Sequence, residues 1–204
     1  MMKKYFFSLI LLLALLTNAS AQRFQGGILG GLLSSQVDGD MAAGYNKVGI
    51  QAGVFVRYQL YDKIAMQTEM RFIMKGALEN RANVDGYYYQ SKLNYVEMPF
   101  TFMVKKGKFQ FEAGPALGIL ISSKEEDAYG ELNLGTYPPF KKIEVSAIGG
   151  FFYDVSEKFK INFRLQYSIT PVRVRISDNV VTLYRYQKYA FNNLMSFGMY
   201  YFLR

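Results

Sequence analysis

Neither cysteine nor histidine occurs in this chain. The first absence excludes a lipid anchor at a cleavage-site cysteine, disulfides and thiolate metal sites. The second excludes a Ser-His-Asp constellation and any His-ligated metal. Long apolar runs are missing as well: beyond residue 21 nothing approaches the roughly 20 apolar residues that a membrane-spanning helix needs, which rules out a helical membrane bundle. No Pro-rich or Ser-rich linker and no low-complexity tract divides Gln22 to Arg204, a length that suits one domain. The mean hydropathy of +0.00 is high for a soluble protein and far too low for a helical membrane protein.

Period-2 alternation resolves that conflict. Ile50, Ala52, Val54, Val56, Tyr58 and Leu60 project to one side of a strand, and Gln51, Gly53, Phe55, Arg57 and Gln59 to the other. The pattern recurs with Ile64, Met66, Met70, Phe72 and Met74 against Gln67, Glu69, Arg71 and Lys75. It recurs again with Phe159, Ile161, Phe163, Leu165, Tyr167 and Ile169 against Lys160, Asn162, Arg164, Gln166 and Ser168. Half of every such strand can be polar without facing lipid if the sheet closes on itself, so the expected fold is all-β: an eight-stranded antiparallel up-and-down transmembrane β-barrel.

In front of it, Lys3 and Lys4, the apolar stretch Tyr5 to Leu16 and Ala19-Ser20-Ala21 read as an export signal over residues 1–21, leaving a barrel domain over 22–204. Strands are expected at Phe24 to Gln36, Val48 to Leu60, Ile64 to Gly76, Lys92 to Val104, Phe109 to Ser122, Lys142 to Asp154, Phe159 to Ile169, and in a last segment ending at Leu203. Their connections alternate long and short, as outer loops and periplasmic turns do, which predicts a protein of the outer membrane in contact with its lipid and lipopolysaccharide.

Two hairpin registers follow from matching faces. Leu60 opposite Ile64 pairs Tyr58 with Met66, Val54 with Met70 and Ala52 with Phe72. Val104 opposite Phe109 pairs Phe102 with Phe111, Thr101 with Glu112 and Met98 with Pro115, and sets Pro99 beside Gly114. The first strand is Gly- and Leu-rich on both sides, and its register stays open. A soluble lipocalin-like ligand-binding barrel is the structural rival. Against it stand the small residues Gly53, Gly114, Gly118, Gly150 and Gly198 on the polar face, long loops on one rim only, and a 17% aromatic content suited to interfacial girdles.

With the polar face inward, Arg57, Glu69, Arg71, Lys75, Glu97, Glu112, Glu144, Lys160 and Arg164 fall in the lumen. An eight-stranded barrel is just wide enough to be filled by side chains, so these charges read as a salt-bridged plug rather than an ion path. In the outer loops, Asp38-Gly39-Asp40 and Glu125-Glu126-Asp127 carry calcium-ligand chemistry, but an Asx turn accounts for the first and a solvated acidic loop for the second. No metal or cofactor is expected. Val172 to Tyr186 alternates around Ser177-Asp178-Asn179 and predicts a protruding hairpin, whose Arg173, Arg175 and Arg185, with Lys188 below, suit the phosphates of lipopolysaccharide.

Five segments support a resemblance: Ser35-Gln36-Val37-Asp38-Gly39-Asp40 followed by Gly44-Tyr45-Asn46-Lys47-Val48-Gly49; Lys92 to Pro99; Glu112-Ala113-Gly114-Pro115; and Ser196 to Tyr201. Together they resemble the PorT-like outer-membrane β-barrel family of Bacteroidetes over essentially the whole mature chain. One departure is that Leu203-Arg204 follows Phe202, where such barrels usually end in an aromatic residue. The resemblance implies an outer-membrane barrel whose founding member is linked to protein secretion. The expected function is non-enzymatic: an envelope scaffold, or an accessory to protein secretion or transport, acting through outer loops on an envelope or secretion partner. A porin-like transporter of small solutes or ions is the alternative, and no nucleic-acid partner is expected.

Overall fold

The computed structural model describes residues 23–40, 42, 44–81, 87–132, 138–174 and 189–203. Within them run β1 (Phe24–Asp38), β2 (Lys47–Tyr61), β3 (Ile64–Arg81), β4 (Tyr87–Lys106), β5 (Phe109–Asp127), β6 (Gly130–Glu131), β7 (Ile143–Asp154), β8 (Phe159–Ser168), β9 (Arg173–Val174) and β10 (Tyr189–Phe202). Eight of these form an antiparallel ring in the order β1-β2-β3-β4-β5-β7-β8-β10. β1 closes it against β10, from Gly27 opposite Phe202 to Asp38 opposite Phe191, and so gains the register that alternation leaves open. Closure removes both sheet edges, the condition for crossing a bilayer with strands. The segment 1–21, with its expected export signal, lies outside the described residues.

Apolar side chains point outward. Leu32 is 60% exposed and Val48 65%, whereas Glu97 and Arg164 are 0% exposed. That distribution inverts a soluble core and discards the lipocalin-like reading, in which the apolar face would enclose a ligand. On the outer face near the short turns, Phe109, Phe111, Phe151, Tyr153 and Phe163 touch one another across β5, β7 and β8, with ring centroids 5.3 to 6.5 Å apart. This is an aromatic belt at the periplasmic interface.

The β2–β3 register pairs Ala52 with Phe72, Val54 with Met70 and Tyr58 with Met66, and a bulge before Tyr61 leaves Leu60 unopposed. The β4–β5 hairpin differs from expectation. Val104 lies opposite Phe111 and Met98 opposite Leu117, because the turn has two residues, Gly107-Lys108, rather than four. Gly107 adopts φ 62°, the left-handed conformation that such a tight turn needs at low steric cost. The displacement is two residues and preserves which face each side chain occupies, so face-matching cannot detect it. Pro99 consequently sits opposite Ala116, and Pro115 opposite Ala147 of β7. The β4–β5 ladder lacks paired residues only between Pro99 and Phe102.

β3, β4 and β5 outrun their neighbours. Ala77 to Arg81 pairs with Tyr87 to Ser91, and Tyr89 to Ser91 with Glu125 to Asp127, while β7 starts only at Ile143, opposite Ile119. β6 adds a short fourth strand, Glu126 opposite Glu131. At about 3.4 Å per residue, the pairs from Ala77 to Arg81 extend this ladder by roughly 15 Å along the strands.

Candidate functional site

The lumen is filled in layers. Next to the short turns, Leu29, Phe55, Ala65, Met103, Phe152, Tyr200 and Phe202 form an apolar layer. At the outer end a second apolar layer joins Leu33, Val37, Ile73, Leu93 and Leu194 to one residue from each of three outer loops, Ala42, Phe140 and Val172. Between the two lies the polar waist.

At the waist Arg164 meets two carboxylates. It donates to Glu112 through Nε and Nη2, both at 2.8 Å, and to Glu69 through Nη1 and Nη2 at 3.0 and 2.9 Å. Glu69 also accepts from Gln67 at 2.7 Å and from the Tyr200 hydroxyl at 3.1 Å. Arg71 donates to Glu97 at 2.8 Å, to Gln51 at 2.8 Å and to Gln166 at 2.6 Å. Lys75 bridges Glu97 and Glu144, the latter at 2.9 Å, and Glu144 accepts from Asn192 at 2.7 Å. Partners therefore come from six strands, β2, β3, β4, β5, β7 and β8, with β10 adding Tyr200 and Asn192.

Charges balance at this level. Arg71, Lys75 and Arg164 pair with Glu69, Glu97, Glu112 and Glu144, and Arg57, nearer the short turns, brings the bases to four against four acids, all buried. Neutrality is what a low-dielectric interior requires, since an unpaired charge there is strongly destabilising. Arg57 is held differently from the rest. Its guanidinium donates to the amide oxygens of Gln67 and Gln110 at 2.7 to 2.9 Å and lies 4.8 Å from the ring centre of Phe202 and 5.2 Å from that of Phe152. Among the described residues no carboxylate comes within ion-pair distance of it.

Glycine makes room for the plug. Gly53 lies opposite Arg71, Gly150 lies between Glu112 and Arg164, and Gly118 between Glu97 and Glu144. A Cβ on Gly150 would sit 2.4 Å from the Phe163 carbonyl oxygen and 3.2 Å from Glu112 Oε1. The signal was present in the sequence as glycines on the polar face. What alternation does not reveal is the aromatic share of that face: Phe152, Tyr200 and Phe202 face the lumen beside Phe55.

The basic hairpin is corrected. Arg173 does not face lipopolysaccharide: it is 3% exposed, pairs with Glu125 through both terminal nitrogens and lies 3.7 Å over the Phe140 ring. The cause is a register change. β8 ends at Ser168, and β9 pairs Arg173 with Ala190 after a three-residue shift relative to the β8–β10 ladder. An odd shift exchanges the faces. A bulge does the same in β5, where Asn94 opposes Ser122 but Tyr95 opposes Leu120. Glu125 thereby points inward and also accepts from Tyr89 at 2.5 Å, so Glu125-Glu126-Asp127 is part of a strand rather than a solvated loop. Arg175, Arg185 and Lys188 lie outside the described residues, as does most of the expected hairpin. At the first outer loop the Ala42 amide donates to Asp40 at 2.9 Å, closing an Asx turn.

These features, a closed eight-stranded ring with apolar residues outside and a salt-bridged interior, define an outer-membrane barrel. Residues 18–173 match the family model described as outer membrane protein beta-barrel domain, and the chain belongs to that family. Neisserial surface protein A shares the fold at 10% identity and a TM-score of 0.54, over 86% of this chain and 96% of that one. Ail, the attachment invasion locus protein of Yersinia pestis, does so at 13% identity and a TM-score of 0.50, over 88% of this chain and 98% of that one. A search of the curated proteins finds no match.

Proposed function

We propose that this protein is a non-enzymatic scaffold of the outer envelope, or an accessory to protein secretion, that works through its outer surface after removal of residues 1–21 as an export signal. The observation that carries the reading is the contrast between a lumen packed shut at its waist and, among the described residues, the extension of β3, β4 and β5 beyond their neighbours. Waist residues Glu97, Asn162 and Arg164 are 0% exposed, and three loops place side chains in the layer above them. The β3–β4–β5 ladder meanwhile offers Tyr88, and the turn from β5 to β6 offers Tyr129, which is 98% exposed. Such a surface suits a protein partner engaged by strand addition or surface contact. The likeness of these five segments to the PorT-like family favours secretion as the process served.

Deleting the gene and comparing the secreted proteins tests this. Loss of secreted species supports the accessory role, and unchanged secretion leaves the surface scaffold. Single-channel recording addresses the porin-like alternative: no stable conducting state is expected for the unmodified protein, and one would overturn the sealed-lumen argument. Arg175, Arg185 and Lys188 are proposed as contacts to lipopolysaccharide phosphates. Charge reversal at these three, with unaltered lipopolysaccharide binding, discards that contact.

A further inference from the structure

The short-turn end of the barrel is not flush. A cavity of about 620 Å³ opens there, with the buried Arg57 and Gln110 in its wall beside Ala65 and Met103 of the apolar layer. That volume is in the range of small-molecule sites. Its wall carries six cations, Arg57, Lys63, Lys105, Lys108, Lys158 and Lys160, against three carboxylates, Asp62, Asp154 and Glu157.

The carboxylates leave half of that charge unanswered. Asp154 is already engaged by Lys160 at 2.5 Å, Lys105 at 3.2 Å and the Gln110 amide at 2.6 Å. Arg57, 2% exposed, has only amide oxygens as acceptors, and they occupy three of its five N–H groups. Lys63, Lys108 and Lys158 form no ion pair among the described residues. They stand on three different turns, so a ligand reaching all of them must lie across the mouth.

We propose that this mouth binds a small soluble molecule carrying two or more phosphate groups. Each phosphate oxygen accepts from several ammonium or guanidinium donors at once. Partial enclosure limits the solvent screening that weakens exposed pairs. The adjoining apolar layer, with Phe152 and Tyr200 0% exposed, makes the site a receptor for a periplasmic solute and not an entrance to a channel.

The test uses the refolded protein in a non-ionic detergent, titrated calorimetrically with sodium tripolyphosphate and, separately, with triglutamate. One-site binding of tripolyphosphate is expected, weakened about 10-fold in the triple variant Lys63→Gln/Lys108→Gln/Lys158→Gln, which removes three partly screened contacts. Triglutamate is expected to bind more weakly than tripolyphosphate. Absence of one-site binding, full affinity in the triple variant, or equal or tighter binding of triglutamate would each overturn the proposal. A second measurement needs no variant. Bound tripolyphosphate is expected to shift amide resonances at Asp62-Lys63, Gly107-Lys108 and Ser156 to Lys158; shifts confined to the outer loops would place the anion elsewhere and sink the assignment.

Discussion

The waist of the barrel and the ladder above its outer rim are both rich in ion pairs, yet they use charge in opposite ways. At the waist Arg164, Glu69 and Glu112 have side chains 0% exposed, so each charge depends wholly on its partners. On the ladder, Lys124 pairs with Glu126 at 3.1 Å and with Glu131 at 3.2 Å, but its side chain is 47% exposed and the Glu131 side chain 63%. Water can replace either partner there. The same residue types thus fix the structure in one region and only decorate it in the other.

The largest way to strain that contrast is Arg164→Met. It strands two buried carboxylates and is expected to cost about 3–5 kcal/mol, read as a lower urea midpoint for loss of the heat-modifiable gel shift. Adding Glu69→Gln and Glu112→Gln should recover part of the loss, whereas no recovery would mean that packing rather than charge dominates. Next comes Gly150→Ala, whose new methyl meets a backbone carbonyl and is expected to cost about 1–3 kcal/mol. Gly118→Ala should cost clearly less, since its nearest contact is Tyr95 Cδ1 at 3.3 Å; equal effects would refute the view that these glycines differ in how tightly they seat the charges.

Glu125→Gln probes the boundary between the regions. It leaves Arg173 without a carboxylate over Phe140, at an expected cost of about 1–3 kcal/mol to the local closed state. The readout is faster hydrogen exchange at the Lys141 and Val172 amides, which donate to the Val172 and Ala190 carbonyls. Unchanged exchange would show that the loops seal the mouth without this pair. The smallest effect is expected from Lys124→Ala with Glu131→Ala: no measurable change in the urea midpoint. A clear drop would mean that the ladder is more than a solvated extension.

Much of this architecture was legible in period-2 alternation and loop length. The eight ring strands, their inward and outward faces and the luminal positions of Arg57, Glu69, Arg71, Lys75, Glu97, Glu112, Glu144, Lys160 and Arg164 all depend on parity along a strand, which a sequence displays directly. What escaped were events that leave parity intact or reverse it locally. The two-residue turn at Gly107-Lys108 displaced the β4–β5 register without moving any side chain to the other face. The bulge near Ile121 and the break after Ser168 each reversed the faces, sending Glu125 and Arg173 inward where continued alternation points them out. Phe152, Tyr200 and Phe202 escaped for another reason: an aromatic residue suits lipid and a dry lumen equally well, so hydrophobicity alone does not assign its side.

The partners of the central arginine lie far away along the polypeptide: Glu69 precedes Arg164 by 95 residues and Glu112 by 52. A sheet that has assembled β3 to β5 but not yet β8 therefore holds Glu69 and Glu112 without the guanidinium that donates to both. Until late in assembly that cleft must stay wet. Expulsion of solvent and arrival of the final strands become a single event, so a chain cut short before β8 yields not a smaller barrel but an open trough that no bilayer would accept.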